Sequence, residues 1–324
     1  MQRIPTLDGW RAVAILLVVA HHVGRSLGNE STVVWRGVAG VDVFFAISGL
    51  LITSQLLEDG NLRRFYIRRA FRILPAAALY LVVVLLLGLT NGADFRHCLL
   101  ISRNYSLGTL YTGHFWSLSL EEQFYLVWPI TLMLSGKRAR VLALVCILAV
   151  CVWRPIVWWH WGAGYEHTDQ RCDGLLWGCL AAFWLRSAKF GIGRVPSAAC
   201  MAAAIAVWGV RLFLPFMPAL LAVGVLGTVQ SPCWAFSRLL DSKVLVWIGQ
   251  RSYGIYLWQQ LLIFAPVRIP MAVRLVLVFL WPAVLYRYFE TPLRQMGRRI
   301  AKGIGRQEHV REAQACPTPS LFRI

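Results

Sequence analysis

The chain has 324 residues, 58% of them hydrophobic, and a mean hydropathy of +0.58. These values exceed what a soluble core needs, which argues against a water-soluble globular protein. The formal net charge is +18, but the basic residues lie in short clusters between apolar runs. That pattern indicates membrane topology and argues against a nucleic-acid partner. The eight cysteines lie mostly within apolar runs without paired spacing, so we interpret them as small buried hydrophobes and predict no metal site.

The apolar runs predict an all-α integral membrane protein with about ten transmembrane helices. Several runs, such as 73–92 and 212–237, contain no Asp, Glu, Lys or Arg and approach the roughly 20 residues that cross a bilayer. The predicted spans are 10–26, 38–57, 72–91, 115–135, 140–158, 172–186, 195–213, 217–236, 246–266 and 270–289.

Basic residues fall mainly on one side of these spans. With the N-terminus inside, most of the 33 Lys and Arg residues lie in cytoplasmic segments, so the positive-inside rule predicts that both termini are cytoplasmic. We expect residues 1–297 to form one membrane-embedded domain. Residues 298–324 are polar and contain two prolines, which predicts a basic, disordered cytoplasmic tail.

The first span, LDGWRAVAILLVVAHHVGRS, carries an arginine near one end and two histidines near the other. Arg11 and His22 are separated by about 1,100° of helix, so their side chains share one face and lie about 16 Å apart along the axis. His21 lies to one side of that face. An imidazole inside a membrane is a candidate proton acceptor near neutral pH; the alternative is a hydrogen-bonded structural histidine.

A second cluster, RRFYIRRAFRILP, lies at the predicted cytoplasmic start of the third span. Arg68, Arg69 and Arg72 have the spacing that lets a helix aim guanidinium groups at one anion. Arginine forks suit phosphate oxygens, which makes the cluster a candidate anion site. The alternative is an ordinary basic anchor at the membrane surface.

Carboxylates within the predicted spans need partners, because an isolated charge in hydrocarbon is costly. Asp42 lies in the second span, and Glu121 and Glu122 lie in the fourth. The candidate partners are Arg25, Arg36, Arg171 and His22. A carboxylate beside His22 would orient the imidazole, whereas a pair with arginine would be structural, and the sequence leaves both open.

Two further motifs place small or polar residues within spans. In RCDGLLWGCLAA, Gly174 and Gly178 have the spacing of closely packed helices. In SYGIYLWQQ, hydroxyl and amide groups enter an apolar helix, either as contacts between helices or as the lining of an acceptor cavity. The Trp-rich segment at 158–171 suits either an interfacial anchor or a platform for a sugar ring.

Taken in order, these motifs resemble the acyltransferase-3 family of multi-pass membrane O-acyltransferases. The matching blocks cover about residues 7–295 and are LDGWRAVAILLVVAHH, GVDVFFAISGLLIT, RRFYIRRAFRILP, FWSLSLEEQFYLVWP, RCDGLLWGCLAA, SYGIYLWQQ and YRYFETPLRQ. The resemblance implies transfer of an acyl group, usually acetyl, from cytoplasmic acyl-CoA to a hydroxyl of a surface glycan or its lipid-linked precursor. Acyl-CoA would be a donor substrate and not a permanently bound cofactor, and the expected location is the bacterial inner membrane, among lipids.

The family motifs fall on particular residues of this chain. The Arg/Lys-x10-His motif falls on Arg11 and His22, which implies that both belong to the catalytic site, with His22 as the favoured catalytic residue. The R-x-x-R motif falls on Arg69 and Arg72, which we expect, with Arg68, to bind the phosphates of acyl-CoA. The set expected near the acceptor site or beside the imidazole is Asp42, Trp116, Glu121, Glu122 and Arg171.

The chain departs from the common form of the family at two places. Many relatives have histidine where this chain has Gln259, which argues against a catalytic role for that position. The sequence also ends soon after the FETPLRQ block, without the esterase-like domain that some members carry. We therefore expect transfer to be completed by the membrane domain alone or with a separate partner.

Three functions remain after these considerations. The first is O-acylation of a lipopolysaccharide O-antigen, a capsule or an exopolysaccharide. The second is O-acylation of a small hydroxylated molecule such as a macrolide. The third is a transporter, which is disfavoured because we detect neither duplicated halves nor paired broken helices.

Overall fold

A computed structural model of the chain describes residues 3–28, 39–161, 166–187, 191–206, 216–232 and 234–315, except for the side chains of 161 and 305–315. Within these ranges the chain is helical and contains no β-strand. The helices are α1 Pro5–Ser26, α2 Ala39–Asp59, α3 Leu62–Leu86, α4 Gly92–Leu99, α5 Phe115–Ser135, α6 Ala139–Trp161, α7 Thr168–Arg171, α8 Asp173–Arg186, α9 Arg194–Ala206, α10 Met217–Gln230, α11 Ala235–Leu240, α12 Lys243–Phe264, α13 Met271–Leu285 and α14 Thr291–Ala315.

Five helical segments among the described residues have the length and apolar composition to cross a membrane. They are Pro5–Ser26, Ala39–Asp59, Leu62–Leu86, Leu110–His160 and Met271–Ile304. The fourth segment contains both α5 and α6, which have 21 and 23 residues. The predicted all-α fold is therefore confirmed, and the helices indicate a multi-pass membrane protein.

The sequence predicts ten spans, which is more than the five segments of spanning length among the described residues. Helices α8, α9 and α10 have 14, 13 and 14 residues. Each is about 20 Å long, which is shorter than a hydrocarbon core of about 30 Å. Residues 207–213 of the predicted seventh span lie outside the described residues, as does Arg36. The number ten and the cytoplasmic location of both termini stay predictions.

The C-terminal part of the described chain is one long helix. Helix α14 continues through Ala315, across part of the segment for which composition predicts disorder. Its amino-terminal half packs on α3, where a Cβ added to Gly297 would overlap the side chain of Phe71. Residues 316–324 lie outside the described residues, and the domain boundary at residue 297 stays a prediction.

The two most extensive contacts between helices are those of α1 with α12 and of α2 with α8, and glycines lie at both. A Cβ on Gly249 of α12 would overlap the backbone of Asp8 in α1. A Cβ on Gly178 of α8 would overlap the backbone of Ala46 in α2. These helices therefore touch backbone to backbone, and the packing role predicted for Gly178 is confirmed.

A tight turn sets the start of α3. Gly60 has a φ of +62°, a left-handed conformation that glycine adopts without steric cost. The side chain of Asn61 caps the helix by accepting a hydrogen bond from the backbone N–H of Arg64 at 2.9 Å. Asp59 pairs with Arg64 at 2.8 Å and with Arg68 at 3.0 Å. The turn thereby holds the first turns of α3 in one orientation against the end of α2.

One buried carboxylate organises the segment between α3 and α5. Asp94 accepts hydrogen bonds from the hydroxyls of Thr90 and Thr112 and from the backbone N–H of Thr109, and it pairs with Arg103 at 3.1 Å. Burial by itself would raise the pKa of Asp94, but these donors, led by Thr112, hold the pKa below its ordinary value. These contacts of Asp94 therefore hold the segment 90–112 between α3 and α5 together.

Gly178→Ala should destabilise the fold, because the added methyl group overlaps the backbone carbonyl of Ala46. Overpacking of this kind typically costs about 1–3 kcal/mol, which thermal unfolding of the purified protein in detergent would show as a lower melting temperature. The matched control is Gly303→Ala in α14, where an added Cβ meets nothing within 4 Å. Equal melting temperatures for the two variants would contradict the close packing of α2 and α8.

Candidate active site

A cavity of about 80 Å³ lies between α1, α2, α3, α5 and α12. A water molecule needs about 10–15 Å³ of such volume, so the cavity has room for several waters or for a narrow, flexible chain. Three guanidinium groups line it, those of Arg11, Arg69 and Arg72. Its polar lining also includes Ser48, Ser117, Glu121, Ser252, Tyr253 and Tyr256.

Arg72 has the least compensated charge of the three. Within the described part of the chain it makes no hydrogen bond and no ion pair. Its strongest charged neighbours are other arginines, Arg11, Arg69 and Arg294. Like charges gathered at a partly buried cavity favour the binding of an anion, because an anion relieves their mutual repulsion.

The other two cavity arginines are only weakly paired. Arg11 lies 3.3 Å from the carboxylate of Asp8 on the same helix. Arg69 lies 3.9 Å from the carboxylate of Glu122, and its guanidinium stacks 3.5 Å above the ring of Tyr125. Stacking on an aromatic face holds an arginine in place while leaving its N–H groups available.

Arg68 is separated from this group. It donates a hydrogen bond to Asp59 at 3.0 Å, and a third of its side chain is exposed. It does not belong to the cavity lining, because Asp59 holds its guanidinium at the turn before α3. The structure therefore brings Arg69 and Arg72 together with Arg11 but leaves Arg68 at the turn, contrary to the expectation that all three arginines of the cluster share a site.

His22 is buried on α1, with 9% of its surface exposed. Its Nδ1 lies 3.0 Å from the carbonyl oxygen of Val18, and its Nε2 lies 2.9 Å from the amide nitrogen of Gln260. A carbonyl oxygen can only accept, so Nδ1 carries the proton and Nε2 presents its lone pair. A carbonyl and an amide thus orient the imidazole. A carboxylate in that role was one of the two possibilities that the sequence left open.

Gln260 connects His22 to a second histidine, His114. The Oε1 of Gln260 accepts hydrogen bonds from the backbone N–H of His114 at 3.2 Å and from its Nδ1 at 2.6 Å. The carbonyl oxygen of His114 accepts from the hydroxyl of Tyr256 at 3.0 Å, and that hydroxyl lies 2.5 Å from the Oγ of Ser117. Because Ser117 and Tyr256 line the cavity, a continuous set of polar contacts runs from the cavity to His22.

Sequence reasoning missed His114 and Gln260, although Gln260 ends the SYGIYLWQQ motif and His114 directly precedes the FWSLSLEEQFYLVWP block. A usable signal was the spacing of Ser252, Tyr256 and Gln260, which follow one another at four-residue intervals and so share one face of α12. Gln259 lies on a different face. It is fully buried, and its amide makes no hydrogen bond with any described residue, so it takes no part in the contacts around His22.

Asp42 forms a buried ion pair with Arg171 at 2.5 Å. This pair joins α2 to α7, and it settles which of the candidate partners Asp42 takes among the described residues. The guanidinium of Arg171 also lies 6.0 Å from the ring of Trp116, which packs edge-on against Phe45. Asp42, Trp116 and Arg171 thus form a cluster of their own.

The two glutamates belong to the cavity side of α5. Glu121 lines the cavity and accepts a hydrogen bond from the hydroxyl of Ser48 at 2.6 Å. Glu122 faces Arg69. The set expected near the acceptor or the imidazole is therefore divided between two places in the structure.

Several described helices have the length to cross a membrane. They enclose a basic cavity that polar contacts connect to the imidazole of His22. Residues 4–289 match the acyltransferase-3 family, described as an acyltransferase domain. This match covers most of the chain, which therefore belongs to that family.

Curated relatives carry the names of O-acetyltransferases. The peptidoglycan O-acetyltransferase OatA of Listeria monocytogenes is 30% identical over 91% of this chain and 56% of its own length. The putative peptidoglycan O-acetyltransferase YrhL of Bacillus subtilis is 29% identical over 91% of this chain and 56% of its own length. A putative O-acetyltransferase of Staphylococcus aureus strain COL is 28% identical over 92% of this chain and 58% of its own length.

The chain thus spans little more than half the length of these relatives. No solved structure matches it.

Arg171→Met should destabilise the protein, because it leaves the carboxylate of Asp42 buried without its ion-pair partner. Removing one member of a buried pair typically costs about 3–5 kcal/mol, to be measured by thermal unfolding in detergent. The double variant Asp42→Asn with Arg171→Met should be more stable than the single one, since the stranded charge is gone. Arg268→Met, at an exposed position, is the control, and a double variant no more stable than Arg171→Met would contradict the structural pairing.

Proposed function

We propose that the chain is a membrane O-acetyltransferase that moves an acetyl group from cytoplasmic acetyl-CoA to a hydroxyl of a cell-envelope polysaccharide. The observation that carries the proposal is the cavity lined by Arg11, Arg69 and Arg72, whose polar lining continues to His22. Membership of the acyltransferase family supports the reaction class. The names of the relatives support acetyl as the group transferred and a hydroxyl as its acceptor.

Acetyl-CoA is the donor that fits the cavity chemically. Its phosphates are anions that suit arginine forks, and its pantetheine arm is a narrow chain of the kind that a cavity of about 80 Å³ admits. With the phosphates on Arg69 and Arg72, the arm would extend past Ser117 and Tyr256, and the thioester would lie toward His22. The amide and carbonyl groups of the arm find hydroxyl partners along this path.

The transfer step uses His22 as a general base. Nε2 takes the proton of the acceptor hydroxyl while the hydroxyl oxygen attacks the thioester carbonyl carbon. The new carbon–oxygen bond forms as the carbon–sulfur bond breaks, and the leaving CoA thiolate receives the proton from the imidazolium. Atoms and charges balance without a metal or a redox partner, and His22 returns to its neutral form.

The acceptor that we propose first is the glycan of peptidoglycan. Two of the relatives have names that specify peptidoglycan, whereas none of the three carries a name that specifies lipopolysaccharide. The helices of spanning length support a location in a cell membrane, and we propose that the acceptor binds at the outer end of the bundle. The test is mass spectrometry of peptidoglycan and of other envelope glycans from cells with and without the gene.

His22→Gln should abolish acetylation, since glutamine keeps a polar side chain but cannot act as a base. General-base catalysis contributes about 10²- to 10⁴-fold, so we expect at least a 100-fold loss of acetyl ester, measured by mass spectrometry at matched abundance in the membrane. The matched control is His21→Gln, which changes the neighbouring histidine and should keep most of the activity. Normal acetylation by His22→Gln would refute the assignment.

Arg72→Gln should weaken the binding of acetyl-CoA to the purified protein in detergent. A hydrogen bond to a charged group contributes about 1.5–3 kcal/mol, so calorimetry should show a dissociation constant about 10- to 100-fold higher. Arg68→Gln is the control, because Arg68 pairs with Asp59 outside the cavity. Equal weakening by both variants would mean that the cluster acts through its overall charge and not as a built site.

A further inference from the structure

We infer that Gln260 is a positioning residue that keeps Nε2 of His22 unprotonated and Nδ1 protonated. This inference rests on the proposed function, in which Nε2 is the base. It concerns the tautomer of the imidazole, which helical spacing in the sequence does not determine. The inference also gives a role to Gln260 as the bridge of hydrogen bonds between His22 and His114.

The direction of each hydrogen bond follows from one fixed donor. The backbone N–H of His114 can only donate, and it points to Oε1 of Gln260 at 3.2 Å. The amide of Gln260 is therefore oriented with its oxygen toward His114 and its NH₂ group toward His22. An NH₂ group can only donate, so Nε2 of His22, at 2.9 Å, must be the acceptor.

The other ring nitrogen is constrained from the opposite side. Nδ1 of His22 lies 3.0 Å from the carbonyl oxygen of Val18, an obligate acceptor. If the proton moved to Nε2, that N–H would face the NH₂ of Gln260, and the lone pair of Nδ1 would face the Val18 carbonyl. Two favourable contacts would become two repulsive ones in a buried site, where such contacts are costly. Val18 and Gln260 together therefore select one tautomer.

The same contact gives the site a resting state. While no acceptor is bound, the lone pair of Nε2 is engaged by Gln260. An acceptor hydroxyl that donates to Nε2 replaces this amide hydrogen, and the carbonyl of Val18 keeps the proton on Nδ1 during the exchange. Gln260 thus holds the basic nitrogen in the correct form until the hydroxyl arrives.

The titratable groups that act most strongly on His22 are His21 and Arg25 on its own helix and His114 across Gln260. None of these is a carboxylate, so none of them favours a doubly protonated imidazole. Replacing Gln260 with glutamate would introduce that charge at hydrogen-bonding distance, whereas methionine would remove the hydrogen bond at similar volume.

The experiment is ¹⁵N NMR of the full chain in lipid bilayers with labelled histidine. The chain has seven histidines, and the His22 resonances are those missing from His22→Gln. The variants are Gln260→Met and Gln260→Glu, with Gln259→Met as the matched control because it removes a buried amide at the adjacent position without touching the bridge. Thermal unfolding of each variant checks that the fold is retained.

In the natural protein and in Gln259→Met we expect a protonated Nδ1 and an unprotonated Nε2. Gln260→Met should give a mixture of tautomers, and Gln260→Glu should protonate both nitrogens at neutral pH. An unchanged His22 spectrum in both Gln260 variants would overturn the inference. If Gln259→Met and Gln260→Met gave the same His22 spectrum, the inference would also be overturned. The tautomer would then not depend specifically on the amide of Gln260.

Activity supplies a second readout that a purely structural role would not move. Loss of the group that sets an imidazole tautomer costs a serine protease about 10⁴-fold; for a neutral amide we expect a smaller loss, about 10- to 100-fold, in Gln260→Met. Gln260→Glu should shift the acidic limb of the pH–rate profile to higher pH, since a protonated imidazole cannot accept a proton. The NMR measurement reports the tautomer whether or not the protein is active. Failure of the tautomer inference is therefore distinguishable from failure of His22 as the base.

Discussion

The candidate active site depends on the close crossing of α1 and α12. Gly249 lets the backbone of α12 meet the backbone of Asp8, and from that contact the two helices run side by side toward His22 and Gln260. A side chain at position 249 would separate the helices by more than the tolerance of a hydrogen bond. The distance of 2.9 Å between Nε2 of His22 and the amide of Gln260 is therefore a consequence of packing far from the imidazole.

Buried charges in the described bundle fall into two groups with different physical meaning. Asp42 with Arg171, and Asp94 with Arg103, are ion pairs in which each partner compensates the other. Such pairs fix the register between segments. Arg72 lies instead among arginines at a cavity, an arrangement that is favourable only when an anion arrives. Charges that are paired within the protein thus hold the bundle together. Charges without such a partner are available to a substrate.

Much of the fold and part of the site were predictable from the sequence. The apolar runs predict helices, and the structure has Arg11 and His22 on one helix, with Arg11 lining the cavity. The partner of His22 was not predictable, because Gln260 comes from a helix more than 230 residues away in sequence. Local spacing cannot specify which face of α12 meets α1, since that depends on where the glycines permit contact. For the same reason the sequence could not choose between arginine and histidine as the partner of Asp42.

The turn at Gly60 has a further consequence for the donor. Asp59 and Asn61 anchor the start of α3 through contacts that involve no ligand, and Tyr125 supports the guanidinium of Arg69 from below. Contacts within the protein thus hold the arginine face in place. A ligand that meets a preformed site loses less conformational entropy on binding, and the affinity for a phosphate group then reflects charge and geometry more than the ordering of a loop. Insertion of flexible residues into this turn would convert a rigid anion site into one that each donor molecule has to assemble anew.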